Sequence, residues 1–302
     1  MQFNRNARLD SSQVRSSGGG GRSGRGGGIA VGGGASIIIV ILALLFGFNP
    51  GDLLGGGTGT TTGTSGSTGT GSGAGTTDAY ADCETGADIE ANPECRWVAY
   101  TNSIQAYWTQ ALPGYQVTET RTFSQGVQTA CGQATSDVGP FYCPADQYVY
   151  LDTSFFEGLL AQLGAEGGYA AEAYVIAHEY GHHIQNLTGT MEQVQRQGQT
   201  TGPDSPAVRL ELQADCYAGV WFRFADNDPD GPIAQITQDD LNRAIDAAET
   251  VGDDHIQETM QGTVTPENWT HGSSEQRKQW LWTGYETGDP NRCNTFSAGA
   301  MG

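Results

Sequence analysis

Hydrophobic positions are distributed in two different ways along this chain: one unbroken run near the start, and a helical spacing after residue 80. Residues 29–48 are uncharged over about twenty positions, the length that crosses a hydrocarbon core of about 30 Å as a helix, and are read as a single transmembrane span. Residues 55–77 are almost wholly Gly, Thr and Ser, a composition that buries nothing and acts as a flexible tether with a reach of roughly 25 to 30 Å. After that the pattern predicts a helix over 95–112 carrying Trp97, Ile104, Tyr107 and Trp108, a short β region over 141–151, and a helix over 154–163. Apolar Tyr174, Val175, Ile176, Ile184 and Leu187 predict a buried helix over 170–187. Ser205 and Pro206 read as an N-cap and first helical residue, opening a helix continued by Val208, Leu210, Leu212, Ala214, Tyr217, Val220 and Trp221. Thr237 caps a helix over 241–251 that Gly252 ends, and a last helix runs from Ser274 through Trp282. The expected organisation is a basic tail over 1–28, the span over 29–48, a linker over 49–79 and one α+β domain over 80–302, mainly helical with a small β-sheet.

Two of these helices carry the chemistry. His178-Glu179-Tyr180-Gly181-His182 is an H-E-x-x-H pattern, which on a helix puts two imidazoles four residues apart on one face beside a glutamate able to act as general base. By itself the pattern also occurs on surface helices. Two histidines are a weak clamp, and a catalytic zinc usually has three protein ligands with a fourth position open. Glu211, on the next long helix, is the candidate third ligand, and Asp215 lies one turn further on. Two carboxylates on one buried helix face are unfavourable unless a cation compensates, which a metal and an imidazole would do. Asp215 is therefore expected to accept the outer N–H of His178 or His182 and fix its tautomer. His183 points about 100° away and reads as a core histidine or a partner of a ligand rather than a ligand, whereas Gly181 costs helix stability and is either a place where another backbone approaches or a tolerated defect.

The chain also resembles a known family, the bacterial neutral zinc metallopeptidases. The matching blocks are 130–132, 139–144, 149–152, 173–186, 209–216, 252–254 and 270–277, in that order over most of the region after residue 80. The resemblance implies a zincin-like fold with Glu179 as base, His178 and His182 as ligands, and a Glu211/Asp215 pair similar to that of gluzincins. It implies no substrate.

The expected reaction is peptide-bond hydrolysis, with one zinc per chain lowering the pKa of a bound water to about 7 and Glu179 taking its proton. A further donor is needed for the oxyanion. His271 is the first choice, with Tyr174, Tyr180 and His255 as rivals. The strand 149–152 is expected at a sheet edge beside the zinc, where an extended peptide could add as another strand.

Composition and charge place the domain. Arg5, Arg8, Arg15, Arg22 and Arg25 precede the apolar run against one acid, Asp10, which by the positive-inside rule puts the N-terminus in the cytoplasm and the domain outside. A cleaved signal peptide is the alternative, but no small-x-small site follows the run. Cys83, Cys95, Cys131, Cys143, Cys216 and Cys293 all follow it, and an even set in an exported domain suggests disulfides. Order along the chain pairs 83 with 95, 131 with 143 and 216 with 293, although six cysteines allow fifteen connectivities. With the residues before the span set aside, 9 Lys+Arg face 33 Asp+Glu, so nucleic acid and anionic wall polymers are not expected partners. Asp226, Asp228 and Asp230 resemble the start of a calcium loop. Position 12 is Thr237 rather than a bidentate Glu and two prolines interrupt, so an acidic turn is the better reading.

The reading is thus a membrane-anchored, extracytoplasmic zinc endopeptidase acting on peptide or protein substrates. Alternatives are a non-catalytic cell-surface interaction module with a structural zinc, and a zinc amidase acting on cell-wall peptides.

Overall fold

In the computed structural model, residues 1–17 and 79–301 are described, apart from 125, 199 and 200. The expected span over 29–48 and the tether over 55–77 lie outside the described residues. Among the described residues no helix is long and apolar enough to cross a membrane.

A four-stranded sheet forms one wall. β2 (Val14–Ser16), β3 (Thr120–Phe123) and β7 (Tyr148–Asp152) run parallel, and β6 (Phe141–Cys143) pairs antiparallel with β7, in the order β2-β3-β7-β6. This corrects the expectation for residues 149–152. They are not an edge: Val149 pairs with both Thr120 and Tyr142, and the edges of this sheet are β2 and β6. The sequence carried the reason, since Val149, Tyr150 and Leu151 are consecutive buried residues, the pattern of a strand covered on both faces rather than an alternating edge. A separate hairpin, β4 (Gly126–Thr129) with β5 (Gly132–Thr135), is tied to β6 by the Cys131–Cys143 disulfide.

The short α1 (Asp88–Ala91) leads into α2 (Cys95–Ala111), which buries Trp97, Ile104 and Trp108 and is joined to the preceding turn by Cys83–Cys95. Residues 156–162 are helical, a π turn over 156–160 running into α-helical 161–162, within the helix expected over 154–163. Then come α3 (Tyr169–Leu187), α4 (Thr190–Gln197) and α5 (Pro206–Ala225). The Ser205 hydroxyl accepts the Val208 N–H with Pro206 in the first turn, as the sequence indicates. β8 (Ile233–Gln235) precedes α6 (Gln238–Thr250), α7 (Asp253–Gln261) and α8 (Ser274–Thr287). Reciprocal capping boxes open α6 (Thr237 with Asp240) and α8 (Ser273 with Gln276). The Cys216–Cys293 disulfide ties the C-terminal segment to α5.

Residues 1–17, expected as a cytoplasmic tail, are part of this body. β1 (Gln2–Phe3) pairs antiparallel with β8, and β2 supplies the outer strand of the main sheet. Arg5 and Arg15, counted in sequence as a topology signal, form ion pairs with Glu90 and Glu119.

Candidate metal centre

α3 and α5 cross where Gly181 meets Ala214. A Cβ at Gly181 would stand 2.9 Å from the Ala214 Cα, so only glycine lets the two backbones come this close. That crossing faces the histidine pair of α3 with Glu211 of α5. His178 Nε2 is 3.2 Å from Glu211 Oε2, and His182 Nε2 is 3.5 Å from Glu211 Oε1. One ligand atom from each of the three lies within 4.8 Å of the others, and all three side chains are buried.

The outer nitrogens of both rings are engaged. His178 Nδ1 donates to Asp215 Oδ1 at 2.7 Å, which turns Nε2 toward Glu211. Of the two partners the sequence allowed Asp215, the structure chooses His178. His182 Nδ1 instead meets Gln185 Oε1 at 2.9 Å, and the Gln185 amide is itself fixed by donating to the Leu210 carbonyl at 2.6 Å. Asp215 is fully buried and also accepts from the Tyr174 hydroxyl at 2.6 Å. Arg277 of α8 completes its shell, with Nε 2.9 Å from Oδ2 and Nη2 2.9 Å from Oδ1. Burial pushes the Asp215 carboxyl up, but the Arg277 charge and the His178 contact outweigh it and hold it at about 2. Burial likewise opposes a charge on His178, yet Asp215 and Glu211 push it up to about 9. The same histidines hold Glu211 well below the usual carboxylate range against the cost of burying it.

Glu179 faces the same space. It is 7% exposed, and its Oε2 has no hydrogen-bond partner. Burial raises its pKa above the ordinary value, only partly offset by His182 and His178. Together with His178, His182, Glu211, His271 and Arg277 it lines a cavity of about 100 Å³ whose remaining wall is apolar, including Phe155, Leu163 and Val175.

His271 enters from the loop before α8. Its Nδ1 is 3.2 Å from Asp253 Oδ1, while Asp253 Oδ2 accepts the N–H groups of Thr270, His271 and Gly272 at 2.7, 2.7 and 2.9 Å. One buried carboxylate thus sets both the loop and the ring. The rivals are committed elsewhere: Tyr180 OH lies 3.0 Å from the Thr120 hydroxyl, His255 Nε2 donates to the Leu163 carbonyl at 2.7 Å, and Tyr174 is spent on Asp215. His183 is buried between the Tyr142 hydroxyl and the Gln116 carbonyl, away from the cluster. Asp226 accepts the Ile236 N–H and Asp228 the Asp230 N–H within the turn after α5. Sequence reasoning missed Gln185, Asp253 and the role of Arg277. All three lay inside blocks quoted for the resemblance (173–186, 252–254 and 270–277), which was the available signal.

The residues fit a zinc ion. Two neutral-capable imidazoles and a carboxylate are its usual donors, their outer atoms are oriented by hydrogen bonds, and an unpartnered buried oxygen stands alongside. Comparison with known proteins agrees. The family model described as "Putative neutral zinc metallopeptidase" matches residues 2–296. An uncharacterized protein of Mycobacterium tuberculosis, Rv2575, is 49% identical over 227 residues, covering 74% of this chain and 77% of its own. The uncharacterized Escherichia coli protein YpfJ is 44% identical over 172 residues, 56% of this chain and 58% of that protein. No solved structure matches the chain. With the family match spanning the histidine helix, the Glu211 helix and the strands that frame them, this chain belongs to the neutral zinc metallopeptidase family.

Proposed function

We propose that the chain is a zinc-dependent endopeptidase held at the cell membrane through residues 29–48, with its disulfide-bearing domain outside the cytoplasm. The observation that carries the catalytic reading is Glu179: a buried carboxylate with a free oxygen, beside three ligand-type side chains, in a cavity open to solvent. A purely structural site has no use for such a base. Bound zinc supplies Lewis acidity, polarising an amide carbonyl and acidifying water.

The chain's own residues do the rest. His178, His182 and Glu211 would hold the ion, and Asp215 and Gln185 keep the two rings turned toward it. Glu179 accepts the proton of the attacking water and carries it to the leaving amine, and burial, which raises its carboxyl above the ordinary value, favours its holding that proton between the two steps. His271, steadied by Asp253, donates to the oxygen on which negative charge develops. The open side of β6 offers backbone groups to an extended substrate, in place of the strand at 149–152.

The test compares wild type with Glu179→Gln on a peptide library, zinc content being measured in both. Equal turnover at equal zinc would remove the hydrolase reading. Turnover confined to wall-derived peptides would turn the endopeptidase into an amidase.

A further inference from the structure

Residues 2–17 are bonded to the rest of the domain along their whole length. The Asn4 N–H donates to the Pro232 carbonyl at 2.8 Å, and the Ala7 and Arg5 carbonyls accept from Gly86 and Ala87 at 2.9 and 3.1 Å. A Cβ on Gly86 would stand 2.0 Å from the Asn4 carbonyl oxygen, so position 86 is shaped for this segment. Phe3 packs on the rings of Tyr100 and Tyr169, with centroids 5.6 and 5.3 Å away. Asn102 of α2 accepts the Asp10 N–H and donates to Gln13, which Gln105 also meets at 2.8 Å.

β2 then runs alongside β3 in register, Val14 opposite Thr120, Arg15 opposite Arg121 and Ser16 opposite Thr122. Val14 is fully buried in the main core. Glu119 bridges the two strands by pairing with both Arg15 and Arg121. Without β2, β3 would be a bare edge beside an unfilled core position. The points where the chain leaves and rejoins the described body are close together, since Ser16 and Ala79 line one cavity of about 240 Å³.

Hydrogen-bonded strands lie about 5 Å apart, whereas a polypeptide that threads a bilayer once has its flanks separated by a hydrocarbon core of about 30 Å. β2 and β3 cannot satisfy both. Two helical crossings would need roughly 40 apolar residues, about twice the length of the run over 29–48. We infer that residues 1–17 fold on the same side of the membrane as residues 79–301, packed on the domain as one body. This replaces the N-terminus-inside arrangement drawn from the arginine count. Arg5 and Arg15 are matched by Glu90 and Glu119 within the domain, so their charge reports folding rather than orientation. The inference rests on the proposed membrane engagement of residues 29–48, and the experiment separates the two.

Single cysteines placed at exposed Ser12 and Ser297 in the full chain, S12C and S297C, are treated with a membrane-impermeant maleimide before and after cell lysis. The six native cysteines are all in disulfides and do not compete. Both positions are expected to react equally in intact cells. Reaction of S297C in intact cells with S12C reacting only after lysis overturns the inference. Reaction of both only after lysis leaves the same-side inference standing and defeats export, and release of the unlabelled chain by alkaline carbonate defeats membrane engagement alone. The double variant R15C/R121C should yield a cross-linked peptide joining the neighbouring strands in membranes. Its absence, with each single cysteine reactive, would also overturn the inference.

Discussion

Arg277 grips Asp215 through both carboxylate oxygens, Nε at 2.9 Å from Oδ2 and Nη2 at 2.9 Å from Oδ1, in a site where neither side chain meets solvent appreciably. The pair joins α8 to α5 directly behind His178. Replacing Arg277 by Met should leave a buried carboxylate short of its cation and cost about 3 to 5 kcal/mol in denaturant unfolding. A loss below 1 kcal/mol would show that the pair is not what joins the helices.

The same pair sets an acid limit. The Asp215 carboxyl titrates at about 2 in the fold against an ordinary 3.8, because Arg277 and His178 overcome the burial that would raise it. A carboxylate depressed by folding stabilises above its unfolded pKa and loses that stabilisation as pH falls through the folded one. About 2 kcal/mol should therefore disappear between pH 4 and pH 2. Unfolding midpoints of wild type and D215N/R277M, followed across that interval, should diverge upward and converge at its acid end.

Gln185 acts on the other imidazole. Its carbonyl oxygen fixes His182 Nδ1 and its amide is locked to Leu210. Gln185→Leu should weaken zinc retention about 10 to 100-fold, comparable to Asp215→Ala, as read by competition with a chelator. Unchanged retention in either variant would assign that residue to packing alone.

Asp253 is expected to act through His271. His271→Ala should lower kcat by about 10²-fold with little change in zinc content. Asp253→Asn keeps the side-chain shape and an acceptor for the loop N–H groups but removes the charge beside Nδ1, and should lower kcat less than the His271 change with zinc content unaltered. Full activity of His271→Ala would leave the oxyanion without a side-chain donor from this loop.

The Cys216–Cys293 disulfide closes a loop 77 residues long behind the Glu211 helix. Replacing both cysteines by serine should cost about 2 to 5 kcal/mol. Differential scanning calorimetry on the zinc-loaded protein should show a lower midpoint than wild type; identical midpoints would mean that Gln213, which donates to the Cys293 carbonyl at 2.9 Å, holds the C-terminal segment unaided.

The helices were legible because their signals are local. Ser205 and Pro206 open α5, Thr237 and Asp240 cap α6, and the apolar spacing around His178 defines α3, all within one or two turns of the residues concerned. The short α4 and α7 escaped notice because each is only eight or nine residues long with two apolar positions, too short a stretch to separate a helix from a loop. β2 and β3 escaped for another reason: their pairing joins residues more than a hundred positions apart, and nothing in either segment names its partner.

At the site, the H-E-x-x-H spacing and the Glu211/Asp215 pair are determined by the sequence alone, because a helix converts an interval of four residues into a shared face. The three disulfide pairs follow chain order, but the structure chose them from the fifteen connectivities that the sequence left open. Only the tertiary structure decided that Asp215 serves His178 and Gln185 serves His182, that Arg277 and Asp253 stand behind the reacting groups, that β6 rather than β7 is an edge, and that the first seventeen residues complete the sheet. Each of those depends on which distant segments pack together, and that is set by the burial of a common core and the satisfaction of buried polar groups, which no local interval along the chain encodes.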